Sequence, residues 1–230
     1  MTKTILRAIP YLFLIFICLT GCNRKPKTHK DQVSYTIGAQ FGKSLKAQNL
    51  DLDTDALARG ISEGYSGNRP RMSEDEMQKT MMKMSDDRQQ VVRNEAANNQ
   101  KVGQAFLAQN KSVPGVKATA SGLQYKIISP GTGPMPKIED SVVIHFKGSL
   151  TSGAEFDSSY KRNEPAQFPL RGVIRGWAEG LQLLRKGGKA TFYIPPELGY
   201  GDSPRENIPA GSVLVFDVEL LDVKPGLKKN

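Results

Sequence analysis

The chain has 230 residues, 38% hydrophobic and 24% charged, which suits one or two compact domains at roughly 150 residues each and excludes wholesale disorder. Its only cysteines, Cys18 and Cys22, lie near the N-terminus, and its only histidines are His29 and His145, so the body has no disulfide framework or multi-ligand metal centre, and no cofactor is expected. The formal charge of +9 divides into +6 for residues 1–30, zero for 31–113, where eleven bases meet eleven acids, and +3 for 114–230, too little for a phosphate-tracking stripe, so no nucleic-acid partner is expected.

Lys3 and Arg7 precede the apolar run Ile9 to Leu19, a charged n-region and an h-region of signal-peptide length, short for a transmembrane span. Leu19-Thr20-Gly21-Cys22 then resembles the bacterial lipobox, which implies removal of residues 1–21 and lipid attachment to Cys22. Asn23 stands where an aspartate would favour inner-membrane retention, so the same resemblance implies an exported lipoprotein of an outer membrane, facing the periplasm or the cell surface. Residues 22–30 form the tether. An uncleaved N-terminal anchor is the alternative, and it also exports the chain.

From Asp31 to about Asn49, Val33, Ile37, Phe41 and Leu45 recur every four residues, one face of a helix, beside a row of small residues, Ser34, Gly38 and Gly42, that invites close approach by another helix. Asp53 can cap a second short helix with Leu57, Ile61 and Tyr65 on one face, ended by Ser66-Gly67-Asn68-Arg69-Pro70. Ser73 and Glu76 have capping-box spacing, and with no proline before Pro114 a third helix can run about 38 residues, roughly 57 Å. Met77, Met81, Met82 and Met84 mark its packing end, whereas Ser85 to Gln104 is polar on nearly all sides and predicts a solvated spacer. Residues 31–84 are few for an independent core, so they are expected to form a helical dimerisation domain, followed by a connecting helix over 85–113.

After Pro114 the period changes to two. Val142, Ile144 and Phe146, then Ala190, Phe192 and Ile194, then Leu214, Phe216, Val218 and Leu220 alternate with polar or outward residues, predicting half-buried antiparallel strands between Gly- and Pro-rich turns. One helical segment interrupts them, Ile174 to Leu184, with Trp177, Leu181 and Leu184 on a shared face. The fold class is therefore α+β: an antiparallel sheet wrapped on a short helix over 114–230, preceded by an all-α region and a long helix.

Val143-Ile-His-Phe-Lys-Gly148, Phe156-Asp-Ser-Ser159, Val173-Ile-Arg-Gly-Trp177, Pro196-Glu-Leu-Gly-Tyr-Gly201 and Val213-Leu-Val-Phe-Asp-Val-Glu-Leu220 resemble, in order and spacing, the FK506-binding-protein (FKBP) type peptidyl-prolyl cis-trans isomerases. Through Ser34-Tyr-Thr-Ile-Gly38, Leu57-Ala-Arg-Gly60 and Gly64-Tyr-Ser-Gly67, residues 31–112 resemble the N-terminal region of the macrophage infectivity potentiator (Mip) subfamily. The resemblance implies rotation of X-Pro bonds in exported client proteins, chaperone-like action by a homodimer, and a pocket that takes FK506- or rapamycin-like ligands. It places Trp177 beneath the proline ring, Phe146, Phe156 and Phe216 on the walls, Val173 and Ile174 at the edge, and Ile208 in a flap. Asp157 is the pocket carboxylate and Tyr200 the hydroxyl that meets a substrate carbonyl.

Two departures bear on that expectation. Phe146 replaces a frequent tyrosine and Ala166 a frequent aromatic, so a wider, less polar pocket is expected, and a weakly catalytic or non-catalytic binding module is the alternative reading. His145 alternates away from the pocket face and is read as structural.

Overall fold

The structure is a computed structural model that describes residues 25–48 and 50–226. The expected leader 1–21, Cys22 and the first tether residues lie outside the described residues. The chain divides between Arg71 and Met72 into two compact units, so the expected helical domain 31–84 spans that division.

In the first unit, the Thr28 side chain accepts from Asp31 N while the Asp31 carboxylate accepts from Thr28 N. This reciprocal cap starts α1 (His29–Ala47) slightly before the expected Asp31, because Asp31 serves as the capping partner three residues in. Asp53 Oδ1 accepts from the N–H groups of Asp55 and Ala56, each at 2.9 Å, and starts α2 (Thr54–Tyr65) as its sequence position predicts. Those two backbone bonds hold the Asp53 carboxyl below its usual range. Neither helix has a buried residue. Ile37 is 63% and Phe41 46% exposed, and a Cβ added at Gly38 or Gly42 would meet nothing within 4 Å.

The second unit opens with α3 (Glu74–Asn110, 37 residues), capped reciprocally by Ser73 and Glu76 as their spacing predicts. Its methionine end is open, with Met81 58% and Met82 60% exposed. Its C-terminal turns depart from the expected solvated spacer. Ala96, Gly103 and Asn110 are buried, and Asn99, Gln100, Phe106 and Leu107 half-buried, which is helical spacing along one face. Asn110 Nδ2 donates to Gln124 Oε1 (2.9 Å), and Gln124 Nε2 donates back to the Leu107 carbonyl (2.8 Å). The Phe106 ring lies 6.0 Å from that of Tyr193.

Seven strands follow: β1 (Val116–Ala118), β2 (Gln124–Ser129), β3 (Ser141–Leu150), β4 (Glu155–Ser158), β5 (Ala166–Pro169), β6 (Lys189–Ile194) and β7 (Leu214–Lys224). They make one antiparallel sheet in the order β1-β2-β6-β7-β3-β4, with β5 also paired to β3. The longest ladder joins β3 to β7, pairing Phe146 with Val218 and Gly148 with Phe216; a bulge near Leu221 keeps Ile144 opposite Leu220. Inward positions are the ones the alternation marks. Val142, Ile144, Phe192, Ile194, Leu214 and Leu220 are fully buried.

Between β5 and β6 lies α4 (Arg175–Leu181), whose Trp177 and Leu181 enter the same core. Gly180 costs this helix about 1 kcal/mol relative to alanine, but a Cβ there would stand 2.9 Å from Phe192 Cε1. Glycine therefore sets how closely helix and sheet approach, and with that the depth of Trp177.

Candidate active site

Five separate segments meet at the open end of this core. Phe146 comes from β3, Phe156 and Asp157 from β4, Val173, Ile174 and Trp177 from the entry and first turn of α4, Tyr200 and Ile208 from the β6–β7 connection, and Phe216 from β7. Together they line a cleft of about 430 Å³, and all nine residues picked out from the sequence are in it.

The rings are ordered about the indole. Trp177 meets Phe216 at 4.9 Å and 71°, Phe146 at 5.0 Å and 78°, and Phe168 at 5.5 Å and 68°, all edge-to-face. Phe156 meets Phe216 at 5.4 Å and 84°. Such contacts set the positive edge of one ring on the negative face of another and fix ring orientation as well as position. Trp177 itself is 5% exposed, and its Nε1 has no hydrogen-bond partner among the described residues.

Polar groups stand at the rim. Asp157 Oδ1 accepts from Arg162 Nη1 at 2.5 Å, and the same guanidinium lies 5.7 Å from the Phe146 ring centroid. One guanidinium thus meets both the Asp157 carboxylate and the Phe146 ring at the rim. The segment bearing Asp157 is pinned by Ser159, whose buried Oγ accepts from Phe146 N (2.8 Å). Across the cleft, the Arg205 guanidinium lies 5.3 Å from the centre of the Tyr200 ring.

Ala166 is not a lining residue. Phe168, two positions along β5 and therefore on the same strand face, supplies the wall, so the expected widening at 166 is not where the cleft is bounded. Arg162 and Gly172 are not among the residues expected from the sequence, and Arg205, Glu206 and Asn207 belong to the flap 202–208, of which only Ile208 is an expected site residue. Period two from Ala166 could have found Phe168, whereas the others sit in irregular segments where no periodicity applies. His145 lies outside the cleft lining: its Nδ1 is 3.0 Å from Ser159 Oγ and its ring stacks on Tyr160 at 4.6 Å.

Comparison with known proteins finds two family matches along the chain, the first of which runs across the division between the two units. Residues 30–127 match the domain amino-terminal to FKBP-type peptidyl-prolyl isomerase, and residues 133–221 match FKBP-type peptidyl-prolyl cis-trans isomerase itself. The FKBP-type peptidyl-prolyl cis-trans isomerase FkpA of Aeromonas hydrophila is 41% identical over 209 residues, 86% of this chain and 78% of that one. The outer membrane protein MIP of Legionella longbeachae is 40% identical over 204 residues, 86% of this chain and 87% of that one. The crystal structure of FkpA from Escherichia coli superposes with a TM-score of 0.63 at 39% identity, covering 88% of this chain and all of the other. Sequence blocks, fold and cleft agree, and the chain belongs to the FKBP-type peptidyl-prolyl cis-trans isomerases.

Proposed function

We propose that the aromatic cleft is where this isomerase rotates X-Pro bonds, with Trp177, Phe216, Asp157 and Tyr200 as its catalytic residues and Phe146, Phe156, Val173, Ile174 and Ile208 as its substrate-binding ones. The observation that carries this reading is the convergence of all nine on one cleft around a single indole. Amide resonance sets a barrier of about 18–20 kcal/mol and holds uncatalysed X-Pro rotation to tens or hundreds of seconds. Lowering it requires no nucleophile and no proton transfer. The planar amide is more charge-separated than the twisted transition state, so a dry aromatic surface disfavours the former. The Trp177 face and the phenylalanine edges supply that surface. The Tyr200 hydroxyl and the Asp157–Arg162 pair hold the chain on either side of the proline, which orients it without resisting rotation of the bond.

Asp157→Leu and Tyr200→Phe test the assignment in a proline-limited refolding assay and on short peptides. Both variants should remain folded and lose at least about tenfold in kcat/KM, the loss of one or two polar contacts. Wild-type rates in well-folded variants refute the assignment. FK506-class macrocycles should compete with peptide for the same cleft.

The same reading extends to assembly and place of action. The chain acts as a homodimer through residues 31–84, which supports chaperone-like action on large clients; the apolar stripe of α1, with no buried residue, supports this. Cys22, outside the described residues, carries the lipid that holds the protein at an outer membrane, on its periplasmic or outer face. The lipobox-like Leu19-Thr20-Gly21-Cys22 and the outer-membrane designation of the Legionella relative support that location. Mass spectrometry of the mature N-terminus in the membrane fraction decides it, and an unmodified N-terminus elsewhere refutes it.

A further inference from the structure

The tip of the loop between Gly201 and Gly211 forms one side of the cleft through Arg205, Glu206, Asn207 and Ile208. Near the tip, Arg205 N donates to the Ile208 carbonyl (2.9 Å) and Ile208 N to the Arg205 carbonyl (3.2 Å). At the neck, Gly211 N donates to the Gly201 carbonyl (2.9 Å). Pro204 and Pro209 flank the tip and fix φ there, so a displacement of the neck is carried to the tip with little lost in between.

Both limbs of that neck rest on α3. Gln100 Nε2 donates to Asp202 Oδ1 (2.7 Å) on one limb, and Asn99 Nδ2 donates to the Ala210 carbonyl (2.8 Å) on the other. The two segments meet closely alongside. A Cβ at Gly211, where φ is +70°, would collide with the Ala96 carbonyl, and one at Gly103 would lie 2.6 Å from Val213 Cγ2. Two adjacent amide side chains on a rigid helix thus grip the loop at two points, which removes its freedom to swing about either one.

We infer that Gln100 and Asn99 are positioning residues for isomerisation: by anchoring both limbs of the 201–211 loop on α3, they fix Ile208 and Arg205 over the cleft and set which residues are accepted beside the proline. The inference rests on the cleft being the site of isomerisation. A loop held in place has lost its conformational entropy before substrate arrives, whereas a loose one loses it on binding. Release of the anchor therefore weakens substrate binding in ground and transition states alike, so KM rises while kcat is little changed.

The test uses the full-length protein and short peptides that differ in the residue before proline. Gln100→Glu sets a carboxylate against Asp202, and Gln100→Ala removes the donor. Gln100→Lys restores one, and Lys101→Ala alters the next, exposed position as a control. KM should rise about threefold to tenfold in Gln100→Glu, less in Gln100→Ala, and return toward wild type in Gln100→Lys, with the ranking of peptides changed in the first two. Asn99→Ala should act in the same direction from the other limb.

Wild-type KM and peptide ranking in Gln100→Glu and Asn99→Ala overturn the inference. So does a fall in kcat alone that tracks a lower urea midpoint, which marks a merely structural contact. Asp157→Leu and Tyr200→Phe in the same assay separate the two levels. If they turn over at the wild-type rate, the cleft assignment fails and takes the anchor with it; if they are impaired while Gln100→Glu is not, the anchor alone fails.

Discussion

The two units put the same residue types to opposite uses. In the first, Ile37 and Phe41 recur with helical period and lie 63% and 46% exposed; in the second, Ile144 and Phe192 recur with strand period and are 0% exposed. The difference lies in what the chain provides opposite each face. Seven strands and α4 supply both layers of a core, whereas two helices of 19 and 12 residues have no second layer of their own. Apolar periodicity reports the type of element in both cases, but burial depends on whether a partner surface is encoded in the same unit.

Equivalent cuts in the two units sharpen this contrast. Leu181→Ala, in the self-contained core, should lower stability by about 3 kcal/mol at every protein concentration, measured by urea unfolding followed by circular dichroism. A loss that grows on dilution would mean that this core leans on a second copy. Comparing a fragment that starts near residue 90 with one that starts at Pro114 separates α3 from the sheet. The shorter should be less stable by about 2 kcal/mol, because it lacks the Gln124 and Asn110 exchange and the Phe106 contact. Equal midpoints would return these turns to the role of spacer.

Smaller effects follow from single atoms. Gly180→Ala should cost about 1–2 kcal/mol despite the better helix former, since the added methyl group meets Phe192; a stabilised variant would show that α4 can move. In the first unit, Ile37→Ser should leave the urea midpoint of the isomerase unit unchanged and weaken the proposed self-association about tenfold by sedimentation. Asp140→Asn should be mildest. The Asp140 carboxylate accepts from Lys137 N and Gly226 N, which lower its pKa from 3.8. Its contribution is present above that value and is lost as pH falls through the folded-state pKa. Wild type and variant should therefore differ by well below about 1 kcal/mol near neutrality and converge in strong acid; a gap that widens on acidification contradicts this.

Much of the architecture was legible because its signals are local. The Ser73–Glu76 box, the Asp53 cap and the alternation through Phe146, Phe192 and Phe216 each depend on residues close in sequence. The cleft residues were legible through ordered blocks, since no single aromatic is distinguishable from ordinary core. The docked face of α3 was not legible. Ala96, Asn99, Gln100, Gly103 and Asn110 have helical spacing but are small or amide-bearing, so a scale of hydrophobicity sees a polar helix. Their burial is secured by close backbone approach and by hydrogen bonds to partners up to 111 residues away, information that no window on the chain contains.

Trp177 is the sole tryptophan among 230 residues, and it is placed against three phenylalanine rings at the floor of the cleft with its indole N–H unbonded among the described residues. All tryptophan emission from the intact protein therefore originates at one spot, and the chain carries its own optical reporter of occupancy. A ligand that covers the ring alters the colour or yield of that light, so affinities can be titrated on unlabelled protein. A chain held elsewhere on the molecule leaves the signal unchanged, which lets one spectrum distinguish a chain seated in the cleft from one bound outside it.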